Sequence, residues 1–394
     1  MFQNARFVAL LALMAGLAPI SIHILLPILP EIERTFSTTS GTSQLALSLG
    51  LFAMAISTIA YGPAADRFGR RPVVLFGLTA FLLGSCLCFW SPNIQVLIIG
   101  RVIQAAGGAA GMVISRAIVR DIFSREDSAK IIGQMMSMII LAPIFVPLIG
   151  AFLSEIFDWR SVFVFTILAG IISLTFIIFG YKETHKLNAN RNFFREMITA
   201  FPILLKNPSF LAYTTYASFG VGLFMTFSGG LPFLMVNLFE RPPSHFGFFI
   251  MLIMTGFLIG TFLSTRLTPK FGIDKMITFA SGTSFLFGLS IPLLLLMGFV
   301  SPWTLFGPGT LMAICHGLSM PNAQAGGVSV NPTVAGSASG LLIFIQMSIG
   351  AGFAQIAGML PSDNPYPMAI QICIASFVAF VGFCFFIRRS SNSL

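Results

Sequence analysis

Long apolar segments set the first constraint on this chain. Its 394 residues contain twelve such segments of about 20 residues, and only 9% of the residues are charged. An apolar segment of about 20 residues can cross the hydrocarbon core of a bilayer as a helix. A soluble domain has about 25% charged residues and could not cover its surface with so few. We therefore predict an all-α membrane protein with twelve transmembrane helices.

The predicted spans fall into two groups of six, separated by the longest polar segment. They cover residues 6–30, 43–62, 73–90, 94–116, 131–154 and 160–180, then 209–236, 246–265, 276–298, 303–325, 337–360 and 367–387. We predict an N-terminal six-helix bundle over residues 1–180, a linker over 181–208 and a C-terminal six-helix bundle over 209–394. In the linker, Phe193, Met197, Phe201 and Leu204 recur at helical spacing, which predicts an amphipathic helix lying on the membrane.

The basic residues indicate the orientation of the chain. The formal net charge is +9, but the basic residues stand singly or in small groups at the ends of apolar segments, which argues against nucleic-acid binding. Of the 22 Lys and Arg residues, Arg34, Arg160 and Arg241 lie on one side, Arg101 lies within a span, and all others lie on the opposite side. Because basic loops stay inside, we predict a multi-pass inner-membrane protein with both termini in the cytoplasm.

A charged hairpin joins the second and third spans. It contains Gly62, Asp66, Gly69, Arg70 and Arg71 between two long apolar segments. Glycines allow a tight turn, and arginines hold it on the inner side. The spacing resembles the loop between the second and third helices of the major facilitator superfamily, a class of membrane transporters.

Further motifs extend this resemblance over nearly the whole chain. Residues 101–111 are similar to the span-four pattern R-x-x-Q-G-x-G-x-A, and residues 115–121 resemble the Bcr/CflA group of drug/proton antiporters. Residues 142–150 resemble a variant of the antiporter motif of span five, and residues 182–184 resemble the exit from span six. The resemblance implies the major facilitator fold of two six-helix bundles, with a site at their interface.

The resemblance also implies a function. It predicts proton-coupled efflux of small amphipathic compounds by alternating access, as in exporters of bicyclomycin, sulfonamides or chloramphenicol. The expected partners are a small-molecule substrate, protons and the lipid bilayer; we expect a monomer without metal or cofactor. The alternative is an uptake carrier for a small metabolite with the same fold. A membrane-embedded enzyme would need a paired nucleophile and base or a metal cluster, which the sequence does not supply.

One set of residues is predicted to form a conformational switch. Asp66, Arg70 and Asp121 would form an ion cluster, and by resemblance Asp66 would also face the start of span eleven near Gly336. Two prolines should bend span five, because each removes a helix hydrogen bond. The complete predicted set is Gly62, Asp66, Gly69, Arg70, Arg71, Asp121, Pro143, Pro147 and Gly150.

A second set is predicted to line the substrate and proton pathway. A charge in mid-membrane costs about 2.5–3.5 kcal/mol, so Arg101 should face the bundle interior or water unless it extends to the outer headgroups. Where many Bcr/CflA relatives carry Asp, this chain has His23, which could exchange protons or make a structural hydrogen bond. The complete predicted set is His23, Glu31, Arg101, Gln104, Tyr213, Tyr216, Phe227 and His316.

A weak internal repeat accompanies the two groups of spans. Gly62, Asp66 and Gly69 of the first hairpin match Phe262, Arg266 and Pro269 at the hairpin between spans eight and nine. Inverted or parallel repeats of this kind are common in transporters. The five cysteines all lie inside apolar segments and are predicted to be small packing residues.

Overall fold

The predicted all-α architecture is confirmed. The computed structural model describes residues 5–139, 141–183, 193–331 and 334–391, and these ranges contain helices but no strand. Ten of the described helical segments are long and apolar enough to cross a membrane. The other two predicted spans are also helical, one as two short helices and the other as a single helix of 28 residues.

Residues 1–194 form the first compact unit. Its helices are α1 (Ala5–His23), α2 (Leu29–Thr35), α3 (Ser40–Phe68), α4 (Arg70–Phe89), α5 (Ile94–Ile122), α6 (Arg125–Ile139), α7 (Ala142–Ile156) and α8 (Ser161–Gly180). The first predicted span comprises α1 and α2, and the fifth comprises α6 and α7. Each of the other spans in this unit is one helix.

Residues 195–394 form the second unit. A helix that begins just before it, α9 (Phe193–Lys206), precedes α10 (Pro208–Asn237), α11 (Pro243–Phe271), α12 (Ile273–Leu296), α13 (Pro302–Ser329), α14 (Ala335–Met359) and α15 (Tyr366–Ser391). Leu204 of α9 is buried in the core of the second unit, whereas Ile203 is 58% exposed. The side chains of Phe193 and Met197 lie outside the described residues.

Small residues bring the helices of the first unit into backbone contact. A Cβ atom added at Gly107 of α5 would lie 2.5 Å from the carbonyl oxygen of Gly77 in α4. Gly111, one turn further along α5, presses on the backbone of Met14 in α1 in the same way. Close approach of this kind increases dispersion contacts between helices in a membrane, where the hydrophobic effect supplies little.

The internal repeat has a different register from the one that the sequence suggested. Gly69 ends α3 with φ +97°, and Gly272 ends α11 with φ +80°. The counterpart of Gly69 is therefore Gly272, and the predicted match to Pro269 was wrong by three residues. Both helices end where the backbone takes a conformation that is accessible mainly to glycine, whereas Pro269 lies inside α11.

Two glycines of the first hairpin allow a matched test of this turn. Gly69→Ala should destabilise the protein by about 1–3 kcal/mol because alanine is strained at this φ, and its Cβ would lie 2.6 Å from the Glu183 Oε2 atom. Gly62→Ala should cost little because a Cβ there meets nothing within 4 Å. The measurement is the thermal unfolding midpoint of each purified variant. Equal midpoints for the two variants would contradict a strained turn at Gly69.

Candidate functional site

Arg70 joins three helices at the first hairpin. Its Nη1 atom lies 2.6 Å from Oδ1 of Asp66 at the end of α3, and its Nε donates to Oδ2 of Asp121 at the end of α5, at 3.1 Å. The Arg70 side chain is only 10% exposed. Removing either carboxylate would leave a shielded cation less well compensated, so the pairs hold α3, α4 and α5 in one arrangement.

Arg71, predicted for the same switch, is bound elsewhere. Its backbone N–H donates to Oε2 of Glu183 at 2.9 Å, and its Nη2 donates to the carbonyl of Ile178 at 2.9 Å. The Glu183 carboxylate accepts from a backbone N–H group in the first turn of α4, which has no partner within the helix. Its negative charge also interacts favourably with the positive end of the helix dipole. The hairpin is thus tied to the end of α8, a contact that the sequence analysis missed.

Arg101 and Gln104 form the centre of a buried polar network. The Arg101 Nη1 atom donates to Oε1 of Gln104, whose Nε2 donates to Ser85 Oγ at 2.7 Å and to Thr166 Oγ1 at 3.1 Å. The Arg101 Nε donates to the carbonyl of Ala46 at 3.4 Å. These bonds connect α5 to α3, α4 and α8. Each helix therefore contributes one partner to a single hydrogen-bonded cluster inside the first unit.

The position of Arg101 does not fit an extension to the headgroups. Its residue surface is 1% exposed, and Gln104 is fully buried. One guanidinium nitrogen, Nη2, has no hydrogen-bond partner within the described part of the chain. Arg101 is thus a largely bonded cation between helices, and its Nη2 group remains able to donate to a further acceptor.

The first span is interrupted just beyond His23. The sequence predicted one helix over residues 6–30, but α1 ends at His23, a 3₁₀ turn covers Leu26–Ile28, and α2 starts at Leu29. Pro27 and Pro30 explain the break, because each lacks an N–H group and its ring clashes with the carbonyl four residues earlier. His23, 8% exposed, is the last residue before the chain unwinds.

Span five is divided as well, where a bend was predicted: Leu141 is in a turn between two described helices. Here α6 ends at Ile139 and α7 starts at Ala142, with Pro143 in the first turn of α7 and Pro147 inside it. Proline suits the first turn of a helix, where its missing N–H group would be unbonded anyway. A Cβ added at Gly150 of α7 would lie 2.5 Å from the carbonyl oxygen of Ile24. The two broken spans therefore meet at Gly150.

Glu31 lies at the other end of the interruption. It stands in the first turn of α2 and is half-buried beside the backbone of Trp159, in the connection that leads into α8. An acidic residue in the first turn of a helix is stabilised by the N–H groups there. Glu31 is thus at a helix start, eight residues beyond His23 in the sequence.

Tyr216 and His316 come together in the second unit. The Tyr216 hydroxyl bonds to Ser319 Oγ, and the ring centroids of Tyr216 and His316 are 6.1 Å apart. On its other side, His316 lies 5.9 Å from the ring of Phe257 in α11. Two residues predicted separately for the pathway are therefore neighbours within one bundle.

The predicted aromatic residues of α10 make separate contacts along the helix. Tyr213 donates its hydroxyl to Oδ1 of Asp274 at 2.7 Å, at the start of α12. Phe227 is 3% exposed and packs against Gly309 in α13. Tyr216 borders a small pocket within the second unit. Tyr213, Tyr216 and Phe227 all contact α13, but at different levels, beside Gly326, Ser319 and Gly309 respectively.

A neutral polar cluster in the second unit was also missed. The Asn322 Nδ2 atom donates to Ser264 Oγ at 3.1 Å, and its Oδ1 accepts from Thr268 Oγ1 at 3.0 Å. These bonds join α13 to the last turns of α11. This cluster lies near the second hairpin, as the Arg70 cluster lies near the first. Its only signal in the sequence was a buried amide, Asn322, together with Ser264 and Thr268 one turn apart in another span.

Comparisons with known proteins agree over nearly the whole chain. The family profile described as Major Facilitator Superfamily matches residues 11–355. The chain is 26% identical over 395 residues to a bicyclomycin resistance protein homolog of Haemophilus influenzae, covering 98% of this chain and 97% of that protein. It is 27% identical to multidrug resistance protein D of Escherichia coli, over 92% and 91% of the two chains.

A solved structure shares the fold. The crystal structure of the peptide transporter POT in complex with sulfate superimposes with a TM-score of 0.78 at 13% identity, covering 100% of this chain and 96% of that one. At this identity the likeness concerns the fold alone. Together with the relatives, it supports the predicted resemblance.

The Arg101 network can be tested with a double-mutant cycle. Arg101→Leu leaves the Gln104 oxygen without its donor, and Gln104→Leu leaves the guanidinium without its acceptor, so each single change should destabilise the protein by about 1–3 kcal/mol. The double variant should cost less than the sum, with a coupling of about 0.5–3 kcal/mol. Arg241→Leu, at an exposed position, is the control for loss of charge. Additive shifts in the unfolding midpoint would show that the two side chains act independently.

Proposed function

The chain belongs to the major facilitator superfamily, and we propose that it exports small amphipathic toxic compounds in exchange for protons. It is a multi-pass membrane transporter of a small molecule. The observation that carries the export proposal is the similarity, over nearly full length, to proteins named for resistance to bicyclomycin and to multiple drugs. A transporter confers resistance by moving a compound out of the cell, so export is the direction that we assign.

The hairpin is proposed to stabilise one state of the transport cycle. Arg70 links α3, α4 and α5 through Asp66 and Asp121, and all three groups lie at the hairpin end of the first unit. Charged pairs that are shielded from water persist until a competing arrangement compensates them. Opening of this cluster would therefore accompany the change of access, and the cluster would re-form when the cycle returns.

His23 is our choice for the proton-coupling group of the export cycle. An imidazole changes its charge near physiological pH more readily than other side chains. His23 ends α1 at the point where the helix unwinds, and the adjacent carbonyl of Ile24 meets Gly150 in α7. Protonation at an interrupted helix can alter local hydrogen bonding without unfolding a continuous span. Glu31, at the start of α2, is the alternative acceptor.

The charge distribution supports a definite orientation. We propose that the protein is a monomer in the inner membrane, with both termini and the segment joining the two units on the cytoplasmic side. The exceptions on the opposite side are Arg34, Arg160 and Arg241. A bias of this size in short loops sets the topology of multi-span proteins.

Cysteine labelling tests this orientation. In a variant without the five native cysteines, Asp363→Cys should react with a membrane-impermeant maleimide in intact cells, because the turn between α14 and α15 faces outward. Lys182→Cys, at an exposed position just after α8, should react only after the cells are lysed. Labelling of Lys182→Cys in intact cells would reverse the proposed orientation.

Transport in proteoliposomes tests both the function and the coupling residue. Bicyclomycin and chloramphenicol should move against their gradients when an opposing proton gradient is imposed, and should not do so without one. His23→Gln should lose gradient-driven transport but keep exchange of labelled for unlabelled compound, because only the proton step is removed. His245→Gln, at an exposed position in α11, should behave like the unchanged protein.

The outcomes separate the alternatives. If gradient-driven transport persists in His23→Gln, then His23 is not the coupling group. Proton-driven uptake of a metabolite, with no transport of the two antibiotics, would contradict the export proposal. It would support the alternative, a carrier for uptake.

A further inference from the structure

A small polar pocket lies inside the second unit, among α10, α12, α13 and α15. Its polar lining consists of Tyr216, Ser281, Ser284, His316 and Ser376. The remaining lining is apolar, and the free space suits about one water molecule. Most polar groups within a membrane-spanning bundle are bonded to one another, so a cluster of five around a space is a site to be explained.

The sequence leaves room for the His316 ring. A Cβ added at Gly220 would overlap Cε1 of His316 and lie 2.8 Å from its Nδ1. The rings of Tyr216 and Phe257 flank the imidazole at centroid distances of 6.1 and 5.9 Å. Neither ring nitrogen is hydrogen-bonded to any residue that the structure describes, and neither is sealed from open space. The imidazole is thus held in place while its nitrogens remain open to a ligand.

The surrounding hydroxyl groups can be assigned donor by donor. Ser319 donates to the carbonyl of Cys315 at 2.7 Å, so Tyr216 must be the donor in its bond to Ser319. Ser281 donates to the carbonyl of Thr278 at 3.2 Å, and Ser376 donates to that of Ile372 at 2.9 Å. Their oxygens therefore remain as acceptors.

Ser284 completes the lining. It is 8% exposed, and its hydroxyl has no partner among the residues described. It is a buried donor and acceptor that opens on the pocket. A hydroxyl buried without a hydrogen bond is destabilising, and a water molecule in the pocket would supply the missing bond.

The ligand must be neutral or a proton carrier. No Asp, Glu, Lys or Arg of the described chain lines the pocket or pairs with His316. The titratable groups nearby are Tyr216 on α10, Cys315 on α13 and Cys373 on α15, whose thiol donates to the carbonyl of Gly288 at 3.2 Å; α11 contributes Phe257 and α12 contributes serines. His316 is the one base among them with open nitrogens.

We propose that this pocket is a hydrated proton site in the second unit. A water molecule accepts from Ser284 and donates to an open nitrogen of His316 and to a serine oxygen. When a hydrated proton reaches the pocket, an N–H bond forms on the imidazole as the O–H bond of the hydronium breaks, and water remains. The site is separate from His23, so it goes beyond the export cycle proposed above and does not require it.

Solid-state NMR of lipid-embedded protein labelled with ¹⁵N-histidine tests the proposal. The chain has four histidines, so His316→Gln identifies the His316 signals by their loss. We expect magnetisation transfer from water to the His316 ring, and a change from neutral to protonated imidazole as the pH is lowered. Should His316→Gln fail to fold, substitution of His23, His185 and His245 by Gln, one at a time, assigns the other three sets of signals and leaves that of His316.

Matched variants separate the pocket from general packing. Ser284→Ala should abolish the water transfer to His316 while the unfolding midpoint stays near that of the unchanged protein. Ser290→Ala, on the same helix but bonded to Phe287 at 2.7 Å, should leave the transfer intact. Gly220→Ala should displace the ring and remove the transfer.

Two results would overturn the site. One is a His316 ring without water contact in the unchanged protein. The other is a water contact that survives in Ser284→Ala. Because the readout needs no transport, a failure of the proposed proton-coupled export would leave this result standing, and the reverse also holds.

Discussion

Most of this chain has no water around it, and the arrangement of its polar groups follows from that constraint. A polar atom in hydrocarbon must find a partner within the protein. Gln104 therefore bonds to Arg101 on its own helix, to Ser85 on α4 and to Thr166 on α8. In the second unit, Asn322 bonds to both Ser264 and Thr268. Each amide has donors and an acceptor in fixed positions, so it selects one relative placement of its neighbouring helices. Close backbone contacts at residues such as Gly107 then become possible without loss of hydrogen bonding.

Interruptions occur where neighbouring helices can support them. The unwound part of the first span presents the Ile24 carbonyl to Gly150, and α7 itself begins after a break in span five. Irregular backbone at membrane depth is tolerated when it is enclosed by protein. The glycine at this contact lets two interrupted spans pack closely, so the first unit combines uninterrupted helices, α3, α4, α5 and α8, with interrupted ones.

The sequence predicted much of the fold because the bilayer fixes the length of apolar segments. The grouping of Asp66, Arg70 and Asp121 was also predictable, since the hairpin and the end of α5 carry charges that need partners. Whether a proline bends or breaks a helix was not predictable, because the outcome at Pro27 and Pro143 depends on packing by other spans. The contact between Arg71 and Glu183 joins residues more than a hundred positions apart, and periodicity carries no information at that range. The packing partners of Tyr213 and Phe227 were not predictable either, because they depend on which residues of the neighbouring helices lie opposite each side chain.

The two hairpins share a turn but differ in chemistry. Each ends a long helix at a glycine with positive φ, Gly69 in one and Gly272 in the other. Near the first, Arg70 binds two carboxylates; near the second, Asn322 binds two hydroxyls. Dissolved salt screens attraction between exposed charges, but it acts much less on pairs as shielded as those of Arg70, whose side chain is 10% exposed. Neither hairpin therefore depends on low ionic strength: the first is held by shielded ion pairs and the second by hydrogen bonds between neutral groups.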